Sequence, residues 1–281
     1  MRILIQAASK LVKSGDEFIR QHGPIQFHQK AQELLEITKL HELYDYSNLV
    51  KSTLSSDFKE KQNYATSQFS DFPITLATGE HCSLDLYFWY RSPTVIHNHH
   101  FTGAFQCLQG VNVDLEFEYK GEQAVGNYHE FGKLELKRTR QLTKGDIAPI
   151  DLLDKFIHQN HHQADLTINA CFRTPDIGEV NLSNYLYSGL RFEKNPELVA
   201  RTHRLWSFLF LGDFNLEDLD FKIDDAMSFL LKYGDSTSAS PRFNQLCSLL
   251  DHKIKSELGV DIKEHLSEHY AQMTKLEDSY D

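Results

Sequence analysis

The spacing of apolar residues divides the chain into two helical regions and a central region with the period of β-strands. From Ile3 to about Asn48 the apolar residues recur every three or four positions, with one interruption at Gly23-Pro24. This pattern predicts two amphipathic helices separated by a turn. Past Gly189 the helical period returns. We expect further helices that begin near Pro196, Ile223, Pro241 and Asp261.

Alternating apolar and polar residues predict short strands in the middle of the chain. Residues 83–90 have the pattern of a strand with both faces nearly buried, and residues 166–173 also alternate. Residues 111–119 alternate more cleanly, so we predict one face in the core and the other in solvent. Turns are predicted at Gly121 and at Gly145-Asp146. The face assigned to solvent consists of Asn112, Asp114, Glu116 and Glu118.

These periods indicate an α+β protein in which a β-barrel or sandwich is flanked by helices. The predicted parts are an N-terminal helical extension at residues 1–63, a β-region at 64–193 and a C-terminal helical region at 194–281. A polar linker is predicted at residues 51–63. With 281 residues, 41% of them hydrophobic, the chain can bury a sizeable core.

Charge and cysteine content disfavour several function classes. The formal net charge of −11 disfavours a nucleic-acid or membrane partner, because contact with phosphate requires a basic surface. The apolar run at the start is too short for a signal peptide or a membrane span, so we expect a cytoplasmic protein. Four cysteines without a C-x-x-C pair are expected to be reduced and buried.

The candidate chemistry lies in two clusters of histidine. Of the 15 histidines, three lie at residues 97–100 and three at residues 158–162. The β-branched run Thr94-Val95-Ile96 favours an extended backbone, so His97 and His99 should project from the same face. Two neutral imidazoles, joined by a third from the second cluster, form a site for a divalent transition metal. Composition alone yields about one H-x-H triplet, so its context carries the prediction.

The order of these motifs resembles the cupin double-stranded β-helix, and within that superfamily the cysteine dioxygenase-like branch. The resembling features are a histidine pair on a strand, Gly110, a strand meander, Lys144-Gly145-Asp146 and a final histidine. The cupin pattern has a glutamate ligand where this chain has Gly103, and the cysteine dioxygenase-like branch also lacks that carboxylate. The resemblance implies an Fe(II) site that acts on O2 and a small thiol or carboxylate. The metal ligands that it implies are His97, His99 and His158.

The chain departs from that branch at residues that bind and orient substrate. The branch often has a cysteine, cross-linked to a tyrosine, at the place of Gly103, and a tyrosine near residues 169–173, where this chain has none. The substrate-binding arginine of the branch has no counterpart between residues 64 and 90, although Arg91 lies close to the histidine motif. Arg173 could instead pair with a substrate carboxylate, with Asn169 on the same face of its strand.

The third ligand and the metal are left open by the sequence. His161 or His162 could replace His158, because the sequence does not fix the strand register through residues 154–157. His100 has the opposite parity to its neighbours and is expected to point out of the barrel. Imidazole suits Ni, Mn and Zn as well as Fe(II).

Two function classes fit the sequence. One is a non-haem Fe(II) dioxygenase-like enzyme, and the other is a non-catalytic metal- or ligand-binding cupin whose helical flanks mediate homodimerisation or partner binding. No residue is predicted to act as a catalytic acid, base or nucleophile. The segment 265–269 spells the H-x-x-E-H metallopeptidase motif, but the chain after it is too short to supply the further acidic ligand, so we predict no site there.

Overall fold

The computed structural model describes residues 2–53, 62, 70–90, 93–178, 182–211, 221–234 and 241–278. The chain divides into two compact units. Unit 1 consists of residues 1–118 and 136–180, and unit 2 consists of residues 119–135 and 181–281. The three-part division with boundaries at residues 63 and 193 stays a prediction.

Helices lie at both ends of the chain, as the hydrophobic spacing predicts. The N-terminal helices are α1 (Arg2–His22), α2 (Phe27–Thr38), α3 (Leu40–Leu43) and α4 (Tyr46–Thr53). The C-terminal helices are α5 (Pro196–Leu211), α6 (Ile223–Tyr233), α7 (Pro241–Leu258) and α8 (Ile262–Asp278). The predicted break at Gly23-Pro24 is confirmed, since Gly23 adopts φ +78° directly after α1. Most of the predicted linker lies outside the described residues, and its first residues belong to α4.

Strands occupy the centre of the chain and pair in two sheets. One sheet has the order β1-β2-β9-β4-β7, and the strands β10-β11-β6-β5-β8-β3 form a closed barrel. The predicted α+β class, a β-barrel flanked by helices along the sequence, is confirmed. The strands are β1 (Phe72–Thr78), β2 (Ser83–Trp89), β3 (Ile96–His97), β4 (Gly103–Gln109), β5 (Asn112–Val125), β6 (His129–Leu142), β7 (Ile147–Ile150), β8 (Ile157–His162), β9 (Thr167–Arg173), β10 (Ser183–Tyr185) and β11 (Leu190–Glu193).

The core of unit 1 lies between its five-stranded sheet and the N-terminal helices. The apolar faces of α1 and α2 pack on this sheet. Phe172 of β9 meets Phe27 of α2 edge-on, with ring centroids 4.9 Å apart. Since side chains alternate along a strand, the residues of β9 with the parity of Asn169 and Arg173 face away from the helices. That second face of the sheet is also buried, and it carries the polar residues discussed below.

Two predictions about β5 are wrong. Gly121 does not turn the chain, because β5 continues beyond it and the turn lies at Gly126, which adopts φ +60°. The polar face of β5 does not point to solvent near its start, since Asn112 and Asp114 are 0% exposed and Glu116 is 7% exposed. These side chains are buried because the polar face of β5 and the polar residues opposite it on β8 meet inside the barrel.

Unit 2 has its own core, to which α5 to α8 contribute most of the apolar side chains. Trp206 of α5 stacks on Tyr233 of α6 with ring centroids 4.3 Å apart. The predicted helix starts at Pro196 and Pro241 are confirmed. Among the described residues, none of the helices combines the length and the apolar character that crossing a membrane requires.

Candidate metal centre

Three histidines from distant parts of the chain converge in unit 1. His97 belongs to β3, His99 follows two residues later, and His158 lies on β8, the strand that pairs with β3. One possible ligand atom of each lies within 4.8 Å of those of the other two. The Nε2 atoms of His99 and His158 are 2.9 Å apart. Within the described part of the chain, this is the one group of histidine, cysteine and acidic side chains close enough to hold a metal ion.

Hydrogen bonds on the far side of two rings determine which nitrogen faces the group. The Nδ1–H of His97 donates to the carbonyl oxygen of Val95 at 2.7 Å. The Nδ1–H of His158 donates to Asp114 Oδ1 at 2.8 Å. A carbonyl and a carboxylate only accept, so Nδ1 carries a proton in both rings, and in the neutral form of each ring Nε2 carries the lone pair. Both lone pairs are therefore available to a metal ion.

Asp114 is held from two sides. It is 0% exposed, and its Oδ2 accepts a hydrogen bond from the guanidinium of Arg140. Burial alone would raise the pKa of Asp114, but the hydrogen bond from His158 and the charge of Arg140 outweigh burial, so the pKa lies below its ordinary value. Arg140, Asp114 and His158 thus form a chain of hydrogen bonds that fixes the orientation of one candidate ligand.

The spacing and charge of the imidazoles fit a shared transition-metal ion. Metal–nitrogen bonds are about 2.1 Å long, so two ligands at right angles are about 3.0 Å apart. The 2.9 Å between the Nε2 atoms of His99 and His158 agrees with this value. Burial, together with His97 and His158, lowers the pKa of His99 well below its ordinary value. The ring is therefore neutral at pH 7, as metal binding requires.

Phenylalanine rings pack against two of the three histidines, His99 and His158. The ring centroid of Phe101 lies 4.7 Å from that of His99, and Phe156 lies 4.5 Å from His158. Phe105 lies 6.4 Å from His158. Such an apolar shell limits the access of water and strengthens electrostatic interactions within the site.

The prediction that one strand carries both His97 and His99 is only partly right. β3 ends at His97, and His99 lies in the loop after it. The carbonyl oxygen of His99 accepts the backbone N–H of Leu153 at 2.7 Å, and Asn98 Nδ2 donates to Asp154 Oδ1 at 2.8 Å. Leu153 adopts φ +53°, which is uncommon for a residue other than glycine. A turn that follows β7 therefore places His99, and strand pairing does not.

The other two histidines of β8 lie outside the group. His162 stacks on Trp89 with ring centroids 4.6 Å apart, and its Nδ1–H donates to Asn112 Oδ1. Burial lowers the pKa of His161 to about 4. Burial, together with neighbouring histidines, lowers the pKa of His162 to about 3. The geometry therefore favours His158 over these two alternatives as the third ligand.

Arg173 lies beside the aromatic shell of the histidines. It is 5% exposed, and its guanidinium carbon is 4.8 Å from the centre of the Phe101 ring. Arg173 Nε donates to Tyr87 Oη at 3.2 Å, and Asp85 Oδ2 lies 3.8 Å away. The sequence indicated Arg173 but neither Tyr87 nor Asp85 as its partners. This cation is thus buried and oriented from within the sheet.

Of the other two predicted substrate-binding residues, only Asn169 belongs to the described part of the chain. Asn169 is buried, and its Oδ1 accepts a hydrogen bond from Asn112 Nδ2 at 3.1 Å. Arg91 lies outside the described residues.

Sequence reasoning missed Asp114, which accepts a hydrogen bond from His158, and Arg140, which donates to Asp114. A strand whose polar residues alternate has the same pattern whether its polar face meets solvent or other polar residues. The signal that could have identified them lies on β8, where His158 and His162 are four positions apart in the sequence and therefore share one face. A second polar face on a neighbouring strand indicates that the two faces meet inside the barrel.

Three further histidines that the sequence singled out also lie outside the group. His100, expected to point out of the barrel, is 8% exposed and does not belong to the group. In the H-x-x-E-H segment, His269 Nδ1 accepts the backbone N–H of Tyr187 at 3.2 Å. His265 packs against Phe131 with ring centroids 5.0 Å apart. These contacts give both residues of the segment a place in the packing of unit 2.

Comparisons with known proteins give matches only among solved structures. No family model and no curated protein matches the chain. A cupin superfamily protein from Desulfitobacterium hafniense is 13% identical, over 38% of this chain and 77% of its own, with a TM-score of 0.25. A cupin-2 domain from Rhodospirillum rubrum is 11% identical over 47% and 70%, with a TM-score of 0.29. A cupin 2 conserved barrel domain protein from Rhodopseudomonas palustris is 12% identical over 48% and 77%, also with a TM-score of 0.29. At such TM-scores the likeness carries no argument, and the architecture rests on the strand order of this chain.

Proposed function

We propose that the protein is a metal-dependent cupin of the dioxygenase type, in which three histidines hold one divalent first-row transition metal, foremost Fe(II). The observation that carries this proposal is the convergence of the three imidazoles, with two Nε2 atoms 2.9 Å apart. The cysteine dioxygenase-like branch, which the sequence resembles, also uses three histidines without a carboxylate. The proposed ligands are His97, His99 and His158.

The protein residues around this group have separable roles in the proposed activity. When bound, Fe(II) would supply a Lewis acid and an electron donor toward O2, with positions left open by only three protein ligands. Asp114 orients His158 through its hydrogen bond at 2.8 Å. Phe101 and Phe156 pack on the imidazoles and keep bulk water away from the reacting molecules.

We propose that Arg173 binds the carboxylate of a small substrate. Arg173 lies near the histidines, since the ring of Phe101 is 4.8 Å from its guanidinium carbon and 4.7 Å from the ring of His99. A planar guanidinium binds a carboxylate through two parallel hydrogen bonds, which fixes the orientation of the substrate. Asn169 lies on the same strand face and is a further candidate contact, and Arg91 is proposed only from its place in the sequence.

Metal analysis tests this proposal. Protein purified without chelator should contain roughly one first-row metal ion per chain, and the double substitution His97→Ala and His99→Ala should reduce this content at least tenfold. His100→Ala is the matched control, because His100 lies in the same loop, is buried and is not part of the group. Equal metal content in the wild type and the double variant would reject the proposal.

A non-catalytic metal- or ligand-binding role is the second candidate function. One observation favours it: Arg173 already has a carboxylate, Asp85, at 3.8 Å, so its charge is partly neutralised before any substrate arrives. Oxygen-electrode measurements on the Fe(II)-loaded protein with small thiols and small acids separate the two functions. Consumption of O2 that requires His158 supports the enzyme, and no consumption with any of these compounds supports the binding role.

A further inference from the structure

We infer that Asp114 supplies the metal site, through His158, with the negative charge that a ligand glutamate brings to other cupins. This inference rests on the proposed function. It concerns how the site balances the charge of its ion, which the identity of the three ligands does not determine. Asp114 acts as a positioning and charge-supplying residue that does not touch the metal.

The fold excludes a glutamate at the position where the cupin pattern has one. A Cβ atom at Gly103 would lie 2.2 Å from the backbone carbonyl oxygen of Phe172 on the neighbouring strand. A backbone atom cannot move aside as the end of a flexible side chain can. Strands β4 and β9 therefore leave no space for a side chain at Gly103, and the carboxylate has to come from elsewhere.

Three neutral imidazoles alone would leave the full 2+ charge of the ion in a buried site. Uncompensated charge is unfavourable in an apolar environment. Asp114 is 0% exposed, and only the width of one imidazole ring separates its carboxylate from Nε2 of His158. A carboxylate that accepts the Nδ1–H of a ligand histidine raises the basicity of the other nitrogen. Asp114 can thereby transmit negative charge to the ion through His158.

Arg140 acts against this effect. Its guanidinium donates to Asp114 Oδ2 on the side away from His158 and draws negative charge from the carboxylate. If Asp114 acts through charge, removal of Arg140 should leave His158 as a stronger donor to the metal. If Asp114 acts only as a mechanical brace, removal of Arg140 should weaken the site in the same way as removal of Asp114.

Glu116 provides a matched control on the same strand. It lies on the same face of β5 as Asp114 and directly opposite His158 in the register with β8. Its carboxylate is bonded by Arg138 and lies 3.2 Å from Lys137 Nζ. Glu116 therefore places the same charge near the site without a hydrogen bond to one of the proposed ligands.

The experiment is a titration of the full-length, metal-free protein with Co(II), followed by the visible absorption of the bound ion. Asp114→Asn should weaken Co(II) binding by about 10- to 100-fold. Glu116→Gln should change it by about twofold at most, because Glu116 is paired with Arg138 and Lys137 and bonds none of the proposed ligands. Arg140→Gln should bind Co(II) as tightly as the wild type or more tightly. The thermal unfolding of each metal-free variant is recorded in parallel, to separate loss of binding from loss of fold.

Each unfavourable result has a distinct meaning. Equal Co(II) affinity of Asp114→Asn and the wild type would overturn the inference and leave the metal site intact. An equal loss in Arg140→Gln and Asp114→Asn would show a brace and overturn the charge role. If Asp114→Asn does not fold, the Arg140→Gln titration still decides between charge and brace. A wild type that binds no Co(II) through His97 and His99 would overturn the proposed function itself.

Discussion

Each unit buries a hydrogen-bonded histidine–aspartate pair, and the two pairs have nearly the same length. In unit 1, His158 Nδ1 lies 2.8 Å from Asp114 Oδ1, and in unit 2, His129 Nδ1 lies 2.9 Å from Asp224 Oδ1. The pairs differ in what the other ring nitrogen meets. In unit 1 it faces another imidazole at 2.9 Å, whereas in unit 2 it lies 3.4 Å from the hydroxyl oxygen of Ser228.

The two aspartates also differ in their remaining partners. Asp224 accepts the backbone N–H groups of Asn127 and Tyr128, so its carboxylate holds the turn between β5 and β6 against α6. Asp114 has no such role in a turn and bonds only side chains in the hydrogen bonds described above. The same pair of residues thus stabilises a turn in one unit and orients a candidate metal ligand in the other.

The largest expected effect comes from breaking the pair in unit 2. Asp224→Ala leaves His129 and two backbone donors without their acceptor in a buried position, so we expect the free energy of unfolding to fall by roughly 3–5 kcal/mol. Co(II) affinity of the folded fraction should stay within about twofold of the wild type. Urea unfolding and Co(II) titration measure the two quantities. A large loss of affinity in this variant would contradict the separation of roles.

As the pH falls, the stability that depends on the buried neutral histidines should be lost before the stability that depends on Asp224. Burial, together with neighbouring histidines, lowers the pKa of His162 to about 3, against about 6.5 in the unfolded chain. The folded form therefore binds fewer protons, and the stability that depends on the neutral ring is complete above about pH 6.5 and is lost as the pH falls toward 3. Each such group changes the unfolding constant by up to about tenfold per pH unit in this window.

His162→Gln tests this window. The variant should show a shallower decline of the melting temperature between pH 6.5 and 4.5 than the wild type, because one of the groups that take up protons on unfolding is gone. Asp224 behaves differently, since hydrogen bonds from His129 and the turn outweigh burial and lower its pKa. Its contribution is present above about pH 4 and is lost only below that value. An unchanged slope in His162→Gln would contradict the assignment.

Replacing a histidine by phenylalanine should change the stability of the metal-free protein in opposite directions in the two units. His99→Phe replaces a buried imidazole that packs against Phe101 by an apolar ring, so we expect the metal-free protein to gain about 1 kcal/mol while metal binding is lost. His129→Phe removes the imidazole that bonds Asp224 and leaves the carboxylate with only its backbone donors, so it should destabilise the protein. Differential scanning calorimetry of both metal-free variants measures the signs. Two losses of similar size would indicate that the histidine group serves stability and not binding.

The smallest expected effect concerns the hydroxyl in unit 2. Ser228→Ala removes a long contact of 3.4 Å to His129 Nε2, so the free energy of unfolding should fall by about 1 kcal/mol or less. Metal affinity should not change. Urea unfolding detects the difference, and a loss as large as that of Asp224→Ala would mean that the hydroxyl, and not the carboxylate, holds the pair together.

The elements predicted well from sequence are those whose period is set by one apolar face. The helices that start at Pro196 and Pro241 pack one face on a core, and local signals mark their ends. The strand at residues 83–90 was identified by its alternating pattern and its apolar residues on both faces. The polar face of β5 was misassigned because alternation shows that two faces differ, but not which of them meets water.

The sequence predicted which histidines converge better than it predicted the local structure that holds them. His97, His99 and His158 converge as expected, although His99 is held by the N–H of Leu153 and not by a strand. Asp114 was missed because its role depends on the pairing of β5 with β8, which no residue near Asp114 in the sequence reveals. The signal is indirect and lies on β8, whose polar face indicates that the two polar faces meet.

The contact between the His99 carbonyl and the Leu153 N–H makes metal affinity a reporter of the complete folding of unit 1. His99 and Leu153 are far apart in the sequence, and contacts between distant residues form late, after local helices and hairpins. An affinity for Co(II) should therefore appear only when the last strands of unit 1 have joined. A fragment that ends before β8 would contain two of the three proposed ligands and still be unable to bind. Refolding kinetics followed through the bound ion would thus time the assembly of unit 1 without any added label.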